Sequence, residues 1–147
     1  MSLTSEQVTL IQKSFAKVAP IKEPAAELFY GRLFEVAPEV RALFKSDLKE
    51  QGAKLMATLA MVVAGLGALE TVVPVARKLA QRHVGYGVTE EHYAPVGSAL
   101  LWTLEKGLGD DFAPEVEQAW ASAYGLLSEV MIEAAYRTAP NAVMGVA

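Results

Sequence analysis

Two histidines occur in the chain, and His83 is the one whose surroundings call for chemistry. It ends an amphipathic run of Val72, Val75, Ala76, Leu79 and His83, so its imidazole points the same way as the apolar stripe. Tyr30, Phe44, Gln51 and Leu55 precede it and Tyr93 follows, each on or beside the apolar face of a segment that reads as helix. Apolar walls, one imidazole and two neutral hydrogen-bond donors are what a non-covalent haem pocket requires. The iron takes a neutral imidazole and the porphyrin needs a dry slot. Gln51 lies on the stripe Leu48, Gln51, Leu55, Leu59 and Val62, where an unpaired amide costs about 1 to 3 kcal/mol, so it needs a partner. His92 is the bland histidine: it precedes Tyr93, and one helical step turns a side chain by about 100°, so if Tyr93 faces inward His92 does not.

Those residues must be positioned by helices, because no stretch alternates with period two for long. Thr4 and Gln7 form a capping-box pair opening a helix through Val18, which Ala19-Pro20-Ile21-Lys22 interrupts. Pro24 suits the first turn of the next, which carries Leu28, Tyr30, Leu33 and Phe34 to Val36. Pro38 starts a short one ending near Phe44. Ser46 is a capping residue for a long segment from Asp47 to Ala64, stopped by Gly65-Leu66-Gly67. A helix from about Val72, with Pro74 in its first turn, runs to Val84 before Gly85 and Gly87. Thr89 caps a helix to Gly107 that Pro95 should bend near its start, and the last helix runs from Pro114 to about Arg137.

Composition sets outer bounds. The 147 residues suit one domain over 1–147, with 52% apolar and 20% charged residues and a net charge of -4, which does not suggest nucleic acid or an acidic membrane as partner. There is no cysteine, hence no disulfide framework, no thiolate metal site and no thioether-linked haem. The N-terminus lacks the basic and apolar regions of a signal peptide, which makes the cytoplasm the expected location. The longest nearly apolar window, Leu55 to Leu69, is too short to span a bilayer.

The ordered set of motifs resembles a bacterial single-domain globin, close to the globin domains of flavohaemoglobins, over nearly everything from Glu6 to Tyr136. The resemblance is carried by Leu28-Phe29-Tyr30-Gly31-Arg32-Leu33-Phe34, by Pro38 leading to Phe44, by Gln51 four residues before Leu55, and by His83 ten before Tyr93. Fourteen residues separate Tyr30 from Phe44 and thirty-two separate Gln51 from His83, and the final helix carries Ala119-Trp120-Ala121-Ser122-Ala123-Tyr124-Gly125.

It implies an all-α globin fold around haem b, held non-covalently by His83 as the iron ligand. Phe44, Leu55, Val88 and Tyr93 would lie against the porphyrin, and Lys54 and Arg82 read either as solvated surface charges flanking the slot or as cations reaching a haem carboxylate. Tyr30 and Gln51 would donate to bound dioxygen, each such bond worth about 1.5 to 3 kcal/mol. The implied function is high-affinity, reversible dioxygen binding by a monomer or weak homo-oligomer. The alternatives are a nitric oxide dioxygenase served by an external reductase, a haem-based sensor, or a haem-free interaction module.

Two departures bear on the enzymatic alternative. The family continues into a flavin and nicotinamide reductase, whereas this sequence ends at Ala147. The family also places a glutamate beside the counterpart of Tyr93, and ungapped alignment puts Ala135 there; a shifted register would substitute Glu129 or Glu133.

Overall fold

The computed structural model describes residues 3–44, 47–85 and 87–138, and among these it contains six α-helices and no strand, as the periodicity requires. Helix α1 (Ser5–Val18) opens on Thr4, whose hydroxyl accepts from the Gln7 N–H while the Gln7 side chain accepts from the Thr4 N–H. A 3₁₀ turn over Ala19–Ile21 leads into α2 (Lys22–Val36), which buries Ala25, Ala26, Phe29, Tyr30 and Leu33 at three- and four-residue steps. A second 3₁₀ turn (Pro38–Leu43) delivers Phe44.

Helix α3 (Leu48–Ala64) is capped by Asp47, whose carboxylate accepts from the Lys49 N–H at 3.1 Å. The expected capping residue, Ser46, lies outside the described residues. At the far end the Gln12 amide donates to the Val63 carbonyl at 3.0 Å, satisfying one of the acceptors a helix terminus leaves over.

Helix α4 spans Leu69–Gly85, beginning three residues before the expected Val72. The earlier start has a packing cause: Leu69 is half-buried against the main core, which draws its turn into the helix. Pro74 therefore lies inside α4 rather than in its first turn, and the ladder loses one N–H there. Thr89 does cap the following segment, but through a 3₁₀ turn (Glu90–His92) before α5 proper (Tyr93–Leu108). Helix α6 (Pro114–Ile132) passes into a π turn over Glu133–Thr138, so the expected last helix changes pitch near its end.

The main core lies where α1 meets α3 and α6. Its buried Trp120 donates from Nε1 to Ser14 Oγ at 2.8 Å, and Ser14 passes the bond on to the Leu10 and Ile11 carbonyls, so no buried polar atom of the pair is orphaned. α2 packs on α5 and α3, and at the α3 crossing a Cβ on Gly52 would stand 2.9 Å from the Ala26 Cβ. α4 is placed differently. It packs on α6 and the π turn and meets α2 and α3 little.

Candidate functional site

Two apolar clusters hold most of the residues that the sequence singles out. The first contains Phe29, Tyr30, Leu33 and Val40, with Phe34, Phe44, Leu48 and Leu55 packed against them. Tyr30 is buried, its ring edge-on to Phe29 at 5.2 Å and to Phe44 at 5.3 Å and stacked on Phe34 at 6.0 Å. Aromatic contacts on three sides hold the ring in place. Burial pushes the Tyr30 hydroxyl up to about 12, so at neutral pH it is a donor. Gln51, in the first turn of α3, is half-buried, Leu55 is half-buried one turn on, and Lys54 beside it is exposed.

The second cluster contains Ala76 and Ala80 of α4, Tyr93 of α5 and Met131 and Ala134 beyond them, with Leu79, Val88 and Tyr136 packed against these. His83, half-buried near the end of α4, donates from Nδ1 to the Leu79 carbonyl at 2.8 Å. A ring donating from Nδ1 while neutral carries its lone pair on Nε2, the atom a metal takes. Desolvation lowers the His83 pKa, the Leu79 bond opposes it and the Arg82 charge adds to it, so the ring is neutral at pH 7. The chain then folds back on this turn: the Val88 N–H donates to the His83 carbonyl at 3.0 Å, and the Tyr136 hydroxyl donates to the Val88 carbonyl.

Tyr93 faces inward, as expected, and His92 does not; its Nδ1 accepts from the Thr89 N–H at 3.0 Å, making it a capping residue. The Tyr93 hydroxyl is buried and makes no hydrogen bond among the described residues; desolvation, then Tyr136, raises it to about 12. Neither glutamate considered for a partner is turned toward it. Glu129 and Glu133 are both exposed, and Met131, Ala134 and half-buried Ala135 occupy the inner face. The π turn does not carry a carboxylate into this cluster.

What the sequence reading missed is the brace on this side. Tyr124 donates to the Tyr93 carbonyl at 2.6 Å, and its ring rests on Gly97, where a Cβ would stand only 2.5 Å from ring carbon Cε2. A glycine inside an α-helix, four residues after an inward tyrosine, was the available signal.

Among the described residues no group of three or more His, Asp or Glu side chains could hold a metal ion. A single half-buried imidazole whose Nδ1 is committed to a carbonyl fits a metal whose other ligands come with a flat apolar macrocycle, and the donor set matches haem in that respect.

Most of this region lies inside a match to the globin family model, which covers residues 27–131, with Ala134 and Tyr136 just beyond it. The chain belongs to the globin family. Curated relatives of this globin include flavohemoproteins of Bordetella parapertussis, 35% identical over 136 residues, and of Rhodopirellula baltica, 31% identical over 133. That of Bacillus subtilis is 28% identical over 133 residues. Each alignment covers 88% of this globin but 33% of the relative, so the chain spans about a third of their length. No helix among the described residues of the globin is long and apolar enough to cross a membrane.

Proposed function

We propose that this globin binds haem b non-covalently and holds dioxygen reversibly. The observation that carries the reading is the His83 Nδ1 bond to Leu79, which in the neutral ring leaves the lone pair on Nε2, the atom a haem iron would take. Phe44, Leu55 and Val88 supply dry walls, Tyr93 closes the His83 side, and exposed Lys54 supplies a cation for a haem carboxylate. Haem held there would supply an iron able to bind a diatomic gas. Tyr30 and Gln51 donate to a ligand with partial negative charge, each bond worth about 1.5 to 3 kcal/mol, and each 1.4 kcal/mol is about tenfold in affinity.

His83→Ala should abolish or greatly weaken haem retention, read from absorption spectra, while His92→Ala should not. Tyr30→Phe and Gln51→Leu should each speed dioxygen release about tenfold or more and move carbon monoxide far less. Undiminished haem binding in the His83 variant would overturn the reading.

The relatives' name joins a flavin to haem, which favours a second reading as a nitric oxide dioxygenase supplied with electrons by a flavoreductase. The absence of a carboxylate from the Tyr93 cluster, among the described residues, favours the carrier. Repeated nitric oxide additions with reduced nicotinamide and a flavoreductase separate them: a carrier stalls after about one equivalent per haem, and sustained turnover promotes the enzyme.

A further inference from the structure

We propose that the outer face of α4, around Arg77, Lys78 and Arg82, docks an acidic electron-donor protein. The proposal rests on the second, reductase-served form of the haem reading above for the donor's task and on the charge pattern for its chemistry. All three cations are exposed, and none makes an ion pair among the described residues. Between Glu70 and Glu90 the chain has these three cations and no acid, whereas residues 90–133 carry nine acids against the single Lys106. A chain of net charge -4 thus spreads uncompensated positive charge over the outward half of one helix.

Helix chemistry does not account for this grouping. The dipole favours cations within the last turn, which explains Arg82, but Arg77 and Lys78 lie further back, and Lys78 and Arg82 are a repelling pair four residues apart. At about 100° per residue, Arg77, Lys78 and Arg82 lie away from the buried Ala76–Ala80 side, while His83 follows that buried side. Val84, 44% exposed, adds an apolar contact at the end of the same helix.

The acids on α6 and on the 3₁₀ turns Glu90–His92 and Gly109–Asp111 would repel a broad anionic bilayer, which leaves a compact acidic protein as the better complement. Electrons delivered there enter the helix that carries the proposed iron ligand. The transfer is one electron from the reduced donor to ferric iron, giving oxidised donor and ferrous iron with no bond made and no proton moved.

The test uses an acidic [2Fe–2S] ferredoxin as probe and the haem-loaded protein, with affinity read by calorimetry at about 0.02 and 0.2 M salt. The contact is mapped by amide exchange. Expected are salt-weakened binding, protection of the α4 amides, and affinity lowered about tenfold or more in Arg77→Glu/Lys78→Glu, with Arg77→Gln/Lys78→Gln intermediate. The charge-matched control Lys13→Glu/Lys22→Glu should lose far less. Equal loss in the control, protection elsewhere, unaltered binding in the α4 variants, or tighter binding to anionic phosphatidylglycerol vesicles than to ferredoxin would overturn the proposal. These readouts need no iron, so failure to retain haem would sink the functional reading and leave the α4 surface to be judged on its own titration.

Discussion

Gly97→Ala should destabilise this protein although alanine is the better helix former. Ideal placement of the new Cβ puts it 2.5, 2.8 and 3.2 Å from ring carbons Cε2, Cδ2 and Cζ of Tyr124, where carbon pairs prefer about 3.5 to 4.0 Å. The ring has little room to retreat, because its hydroxyl is tied to the Tyr93 carbonyl at 2.6 Å. Overpacking of this kind costs about 1 to 3 kcal/mol, and stretching the tyrosine bond adds about 1 kcal/mol. Against this stands a gain of about 1 kcal/mol from replacing a mid-helix glycine. The net is a loss of about 2 kcal/mol, or a Tm lower by about 4 to 8 °C at this chain length. Thermal and urea unfolding of the single variant and of Gly97→Ala/Tyr124→Leu would measure it. The double variant should show a coupling that returns most of the Gly97 penalty. A Tm raised by Gly97→Ala alone would mean that propensity outweighs contact and that the Tyr124 brace is looser than its geometry implies.

Two further outcomes follow from the same region and its opposite wall. Tyr93→Phe removes a buried hydroxyl with no hydrogen bond among the described residues, so Tm should stay level or rise; a fall of more than about 2 °C would reveal an acceptor. Tyr30 keeps its proton to about 12 in the fold against 10.0 for the free phenol, so dioxygen release should be flat between about pH 6 and 9. Because the unfolded phenol ionises first, this group's contribution to stability is present below pH 10 and declines as pH rises toward 12. A release rate that climbs already at pH 8 would remove Tyr30 as the donor.

Periodicity exposed the elements and the inward residues because burial of one face is a local property of the chain. Tyr30, Leu55, His83 and Tyr93 were legible for that reason, and so was the outward turn of His92. Element edges were less so. Asp47 and Ser46 are both good helix caps and sit side by side, and the structure uses Asp47. The start of α4 depended on where Leu69 packs, which no local pattern states. The π turn over Glu133–Thr138 was invisible for a related reason: apolar spacing continues through it while the pitch changes. Contacts between distant segments, such as Trp120 with Ser14 or Tyr124 with Gly97, come from the way helices cross, and a one-dimensional pattern holds no record of crossings.

The way α4 is mounted has a consequence for folding. With α6 and the π turn as its main supports, a proline inside it and several cations on its outer side, α4 has a weaker claim than α1 or α6 to independent order. Its amides should therefore open and exchange well before those of α1 and α6, whose Trp120–Ser14 bond belongs to the last unit to unfold. A ligand gripped by His83 would draw α4 into that cooperative unit and slow its exchange by mass action, so loading the site would double as the final step of folding.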